Sequence, residues 1–378
     1  MELKRKIGAL SALVCAGAML LSGCGADVSA SDMDLSEDKE LSSEETVENI
    51  TTEDKPSVMS PAEISEVETD TDSSADDSSE VNESKTEEPQ PPREAEECTV
   101  GGGYWFTVSD FDKVYSNKEL EECFDRLQEI CSEANFHMAF SFKNMDTGAY
   151  VGYGQYDQFM TCSCVKAPYV KSLLAKGIDL KEKIPLTAKW EGDYEGIVNE
   201  EYGKEFTAKK LIEYTILDSD NTAYQLLCLR YGAGDFNNHQ YEIGSNYTLG
   251  YNAEWIFTYC SSDDMMKDYE DIYRFAKKNK DGKWLIKLLS KAHLNIQIGA
   301  ALGDKYKVAQ KYGSDYEEMA FNDCAIVYAD SPFVLCIMTE QYPETEESCK
   351  VFKDLALVFD DINSLIAKES DKGEKDKE

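Results

Sequence analysis

Between residues 117 and 366 the apolar positions switch between two periods, and each switch marks a new element. Leu120, Cys123, Phe124, Leu127, Ile130 and Cys131 recur at helical spacing, which predicts an amphipathic helix over Asn117–Ala134. His137–Lys143 reads as a strand, Asp146-Thr147-Gly148 as a turn and Tyr150–Tyr156 as the returning strand. A helix to about Ala175 follows. Pro168 is harmless only in a first turn, so this helix either starts near Val165 or has a distorted opening. Leu211–Tyr231 reads as two helices interrupted by Ser219-Asp220-Asn221, where Ser219 or Asp220 serves as N-cap of the second. Met265–Lys278 and Trp284–Ala292 are further helices. Tyr306–Tyr312, Asp323–Ala329 and Phe333–Gln341 read as strands, and Cys349, Phe352, Leu355, Ala356, Phe359, Ile362 and Ile366 share one face of a closing helix. This order predicts an α+β fold: an antiparallel sheet from both chain ends, packed by the terminal helices, plus an all-helical subdomain.

Charge changes the picture at the ends. Lys4, Arg5 and Lys6 precede the apolar run Ile7–Leu21 and then Leu21-Ser22-Gly23-Cys24, the layout of an export signal rather than a membrane span. The ending resembles a bacterial lipoprotein signal, which implies that Cys24 is lipidated and that the chain sits at the outer face of the cytoplasmic membrane; the alternative is a plain secretory signal. From Asp27 to Glu97 there are 25 acidic and 4 basic residues among Ser and Thr, out of a net charge of -36 for the 378 residues. Such a stretch cannot bury enough apolar surface to offset its ordering entropy, so a disordered tether is expected. As a flexible coil it would span roughly 45 to 50 Å. The organisation read from sequence is therefore 1–24 signal, 25–103 acidic tether, 104–367 folded domain and 368–378 disordered charged tail. So acidic a chain is a poor partner for nucleic acid.

Setting aside Cys15 and Cys24 from the 12 cysteines leaves ten. An even number in an exported chain suggests disulfides. Their placement on apolar helix faces and strands instead predicts small buried core residues for most of them. No pair has zinc-like spacing, and His137, His239 and His293 are far apart, so neither a metal site nor a histidine-based triad is expected. No cofactor is expected either, and a monomer is the expected state.

The candidate chemistry begins at Ser163-Cys164-Val165-Lys166, at the start of an apolar run. Residues three apart on a helix share a face, so a lysine amine can sit beside a serine hydroxyl. It can take the hydroxyl proton if burial and a neighbouring cation lower its pKa, and a helix N-terminus offers backbone N–H groups to an oxyanion. One such motif arises easily by chance. It is the company of Ser219-Asp220-Asn221 and Lys311-Tyr312-Gly313, in that order, that makes it specific.

Together these three stretches resemble the class A β-lactamase-like branch of the serine penicillin-recognising enzymes, whose signatures are S-x-x-K, S-D-N and K-T-G. The resemblance covers roughly His137 to Ile366. It implies a β-lactamase/transpeptidase-like fold in which Ser163 is acylated, Lys166 takes its proton, Ser219 relays a proton to the leaving nitrogen and Lys311 keeps the field positive. Asn221 would bind a substrate amide, Gly313 would let substrate lie against the strand, and the backbone N–H groups of Ser163 and Ser314 would form the oxyanion hole. The implied partner is a β-lactam or a D-Ala-D-Ala-like peptidoglycan peptide.

Two departures modify that expectation. Tyr312 replaces the small hydroxyl residue of K-T-G, and a phenol cannot take the same position against a substrate carboxylate. The E-x-x-L-N loop that activates the deacylating water in class A β-lactamases is missing; Glu242 and Glu254 are the only glutamates between Asn221 and Asp263. Deacylation is therefore expected to be slow. The rival from another class is a non-catalytic sensor or wall-binding lipoprotein on the same fold.

Overall fold

The computed structural model describes residues 96–99, 105–111, 118–189, 196–250 and 256–375. Cys24, most of the acidic segment and Glu254 lie outside them. No helix among the described residues is long and apolar enough to cross a membrane.

In chain order the elements are β1 (Glu96–Thr99), β2 (Trp105–Ser109), α1 (Lys118–Glu133), β3 (Met138–Asn144), β4 (Tyr150–Tyr153), β5 (Phe159–Met160), α2 (Lys166–Lys176), β6 (Lys183–Pro185), β7 (Glu205–Thr207), α3 (Ala208–Leu217), α4 (Asn221–Tyr231) and α5 (Gly234–Glu242). There follow β8 (Tyr259–Cys260), α6 (Ser262–Lys278), α7 (Lys280–Leu289), α8 (Ile298–Leu302), β9 (Lys307–Asp315), β10 (Ala320–Tyr328), β11 (Phe333–Glu340) and α9 (Glu346–Lys375). Seven strands form one sheet in the order β1-β2-β4-β3-β11-β10-β9, antiparallel throughout. This is the α+β arrangement the periodicity predicts.

Alternation along the strands divides the core. Phe140, Phe142, Phe321, Ala325, Val327, Phe333, Leu335 and Ile337 face one side, where Leu120, Phe124 and Leu127 of α1 and Phe352, Leu355, Phe359 and Ile362 of α9 cover them. The Phe359 ring lies 5.2 Å from that of Phe140 and 5.0 Å from that of Phe142. Ala139, Cys324, Ile326, Val334, Cys336 and Met338 face the other side, against Val170 and Leu173 of α2 and Met265, Tyr269 and Ile272 of α6. Each fully buried Leu or Phe contributes on the order of 1.5–3 kcal/mol.

The sheet differs from the sequence reading at its start. Composition assigns residues up to 103 to the tether, yet Glu96–Thr99 pairs with Trp105–Ser109 and the sheet begins there. At the other end α9 stays helical to Lys375, past the charged boundary at Lys368. The short helices α5 and α8 have no clear apolar period and went unread. The cysteines from Cys123 to Cys349 are free and buried, as their placement on apolar faces predicts.

Candidate active site

The serine turn is clamped between the sheet and the segment before α6. Ser163 lies in a 3-10 turn, Cys162–Val165, that runs into α2. Asn322 Nδ2 donates to the Met160 carbonyl (2.7 Å), Cys164 Sγ to the Lys311 carbonyl (3.1 Å), and the Thr161 amide to the Thr258 carbonyl (2.7 Å). Cys162 takes φ +44°, a strained value for a side-chain-bearing residue and one often met at functional positions. Pro168 falls in the first turn of α2, where its missing N–H leaves nothing unpaired. Both sequence alternatives are thus realised, a 3-10 opening followed by a helix from Lys166.

Lys166 is wholly buried. Its Nζ donates to the Ser219 carbonyl (2.6 Å), to Asn221 Oδ1 (2.5 Å) and, more loosely, to Ser219 Oγ (3.3 Å). Lys311, on β9 and also buried, donates to Ser219 Oγ (2.9 Å) and to the Tyr312 carbonyl (2.9 Å). One hydroxyl therefore joins the two lysines. Ser219 is placed by a left-handed φ of +56°. Asp220 beside it is the N-cap of α4, its carboxylate accepting from the amides of Ala223 (2.7 Å) and Val198 (2.9 Å). The polar break between the two helices is thus a cap and a site at once. The Ser163 hydroxyl has no hydrogen-bond partner among the described residues, and the Lys166 amine is turned to Ser219 and Asn221.

Burial first and the Lys311 charge second hold the Lys166 pKa well below the ordinary lysine value. Lys311 itself is lowered to about 8, by burial. Two aromatic rings, Tyr224 and Phe257, lie 5.6 Å from the Lys166 nitrogen and add to its dry surroundings.

Gly313 sits against the nucleophile's own backbone. A Cβ there would stand 2.6 Å from the Ser163 amide nitrogen and 2.7 Å from Cys162 Cβ. The sequence reading gave this glycine to an approaching substrate; the nearer reason is the serine turn itself. Ser163, Asn221, Phe257, Tyr259, Ser314 and Glu318 are among the residues lining a cleft of about 830 Å³. The sequence-predicted residues Ser163, Lys166, Ser219, Asn221, Lys311, Gly313 and Ser314 are thus brought together around one cleft.

Three features went unread. The Tyr312 side chain turns to the α9 side of the sheet, packs on Phe321, and its hydroxyl donates to Glu344 (3.1 Å). Ser314, two residues on along the strand, and Tyr316 in the turn after it donate to the same carboxylate at 3.0 and 2.9 Å. Nothing in the sequence near Glu344 signals this. Of the two glutamates considered as deacylation bases, Glu242 is paired with His239 on α5 (3.1 Å), and Glu254 is outside the described residues. Phe257 is the described residue of that segment beside Lys166. Among the described residues no group of three or more His, Cys, Asp or Glu is arranged to hold a metal ion.

A family model described as the beta-lactamase enzyme family matches residues 122–361. Among solved structures, PBP-A is similar at 18% identity and a TM-score of 0.56, over 67% of this chain and 97% of its own. A mutant of PBP-A in acyl-enzyme complex with penicillin G shares 17% identity and a TM-score of 0.55, over 65% of this chain and 96% of its own. A class A beta-lactamase from Mycobacterium abscessus shares 18% and 0.55, over 63% and 97%. At such identities the likeness is one of fold. No curated protein sequence matches the chain. With a family match running from α1 into α9 across all three motif stretches, the chain belongs to the beta-lactamase enzyme family.

Proposed function

We propose that the protein is an active-site serine hydrolase or acyltransferase that is acylated at Ser163 by β-lactams or by amides of D-Ala-D-Ala-like wall peptides. The observation that carries this reading is the pair of buried lysines joined through Ser219 Oγ at 3.3 and 2.9 Å. A neutral Lys166 amine has two N–H bonds, which the Ser219 carbonyl and Asn221 Oδ1 accept, and one lone pair left over. That lone pair takes the proton as Ser163 Oγ forms its bond to the substrate carbonyl carbon; the serine hydroxyl, held by no hydrogen bond among the described residues, is free to rotate towards Lys166. The carbonyl oxygen, now an anion, is held by the backbone N–H groups of Ser163 and Ser314, which the contact of Gly313 with Ser163 brings near one another. As the oxyanion re-forms the carbonyl, the C–N bond breaks. The leaving nitrogen takes a proton from Ser219 Oγ, which recovers one from Lys166.

Hydrolysis of the acyl-enzyme then needs an activated water. The E-x-x-L-N loop that supplies it in class A β-lactamases is missing from the sequence, and the described residue of the 254–257 segment beside Lys166 is Phe257, whose phenyl ring takes no proton. The acyl-enzyme is accordingly long-lived. The same observation favours the second reading, a sensor or wall-binding protein for which slow release is the useful property. The resemblance at Leu21-Ser22-Gly23-Cys24 supports attachment to the outer face of the membrane through a lipid on Cys24, with the acidic segment as spacer.

Intact-protein mass spectrometry after exposure to a penicillin tests the reading. One added acyl group, absent from Ser163→Ala, is expected. No adduct with any β-lactam or activated ester would leave the binding protein as the better account.

A further inference from the structure

The ligands named above all carry a carboxylate beside the scissile bond, and the strand that would receive it is already wired to one. Tyr312 and Ser314 occupy alternate positions on the outer edge strand, Tyr316 opens the turn after it, and all three hydroxyls donate to Glu344. Glu344 is held at φ +62°, a costly conformation for a glutamate, which this triple contact helps maintain. A hydroxyl has one proton to give. Those of Ser314 and Tyr316, both at the cleft, are committed to the protein's own carboxylate and are not offered to a ligand's.

The charge beyond them has the same sign. Asp315 at the end of β9 and Glu317 and Glu318 on the turn after it line the cleft. Asp315 accepts from the amides of Glu317 and Glu318, and Glu318 accepts from the Tyr259 hydroxyl (3.1 Å). Among the described residues no lysine or arginine is ion-paired with any of these carboxylates or with Glu344. The two amines of the site, Lys166 and Lys311, are buried and turned to Ser219. An anionic group laid along β9 would therefore meet carboxylates first and the buried Lys311 amine only through Ser219.

We propose that Glu344 is a specificity-determining residue, and that the cleft prefers acyl donors whose group beside β9 is uncharged or carries an amine, and acylates more slowly from those with a carboxylate there. This rests on the acylation of Ser163 and narrows its substrate class. In chemical terms the fitting donors are amidated or amine-bearing peptide amides and esters rather than peptides ending in a free carboxylate. Glu344 acts through position and charge, holding Ser314 and the edge strand, and forms no bond to the reacting atoms.

The test uses three thioester donors that share one acyl group and differ only in the leaving thiol, which bears a carboxylate, a carboxamide or a primary amine. Acylation of Ser163 is followed by mass spectrometry at low and high salt. The wild-type protein should be acylated by the amine and carboxamide donors roughly tenfold or more faster than by the carboxylate donor, the usual scale of like-charge exclusion. The gap should shrink at high salt. Glu344→Gln should narrow it, mainly by lowering KM for the carboxylate donor. Equal rates for all three, or preference for the carboxylate, in the wild-type protein alone would overturn the inference while leaving Ser163 acylation standing. No adduct with any of the three would overturn both.

Discussion

Gly313 and Ser163 are in contact through their backbones, so close that a single methyl group on Gly313 would lie 2.6 Å from the Ser163 amide nitrogen. The neighbours are backbone and Cβ atoms of a clamped turn, with no flexible side-chain end to move aside. Gly313→Ala must therefore push the serine turn off the strand. A displacement of that size costs about a hundredfold in rate when reacting groups lose alignment. The acylation rate should fall by about that much and stability by about 1–3 kcal/mol, the range for overpacking. Wild-type acylation in Gly313→Ala would mean that the serine turn is not set by this contact.

The lowered pKa of Lys166 should be visible in kinetics. Acylation rate against pH is expected to rise through an ionisation well below the free-lysine value, absent from Lys166→Ala. Because the Lys311 charge contributes to the lowering, Lys311→Ala should shift that ionisation upward in whatever activity survives. A profile insensitive to both substitutions would assign the base elsewhere.

Stability carries the same signature with a definite sign. Lys311 is lowered to about 8 in the folded chain, whereas an unfolded lysine titrates near about 10.4. Between those values the unfolded chain binds more protons, so the contribution of this group to stability rises with pH across that window. Lys311→Met should remove part of the slope measured by urea unfolding from pH 8 to 10. It should also fold at least as well as wild type at pH 7, since a buried cation costs more than a buried thioether of similar size.

Turnover should show a burst of one acyl group per chain followed by slow release, since loss of a general base costs a factor of about a hundred to ten thousand. Glu254→Gln is expected to leave the slow phase unchanged. If that substitution slows release further, Glu254 supplies the base and the protein turns over as a β-lactamase.

Membrane attachment through Cys24 has a direct test. Cys24→Ala should release the protein from the membrane fraction or block processing of its signal. A normally processed, membrane-retained variant would rule out the lipid.

The site was legible where its chemistry is local in sequence. Ser163 with Lys166, and Ser219 with Asn221, are short spacings fixed by a helix start and an N-cap, and Lys311 with Gly313 is fixed by strand alternation. Strands β3, β10 and β11 were legible because both faces are buried and they carry runs of apolar residues. What could not be read depends on distant pairing. Glu344 matters because strand order and a left-handed turn carry its carboxylate to β9, and neither leaves a mark in the residues around it. Phe257 has no motif to mark it, and its place beside Lys166 depends on how the chain packs after α5. Glu96–Thr99 forms a strand through backbone pairing with β2, which a charge-rich composition does not reveal.

Strand order has one more consequence. β1 and β9 close opposite edges of the seven-stranded sheet, six inter-strand spacings apart, or roughly 29 Å at about 4.8 Å each. Glu96, where the described strands begin, thus lies on the sheet edge opposite the one that carries Lys311 and Gly313, and the reactive edge is the one free of the domain's first strand.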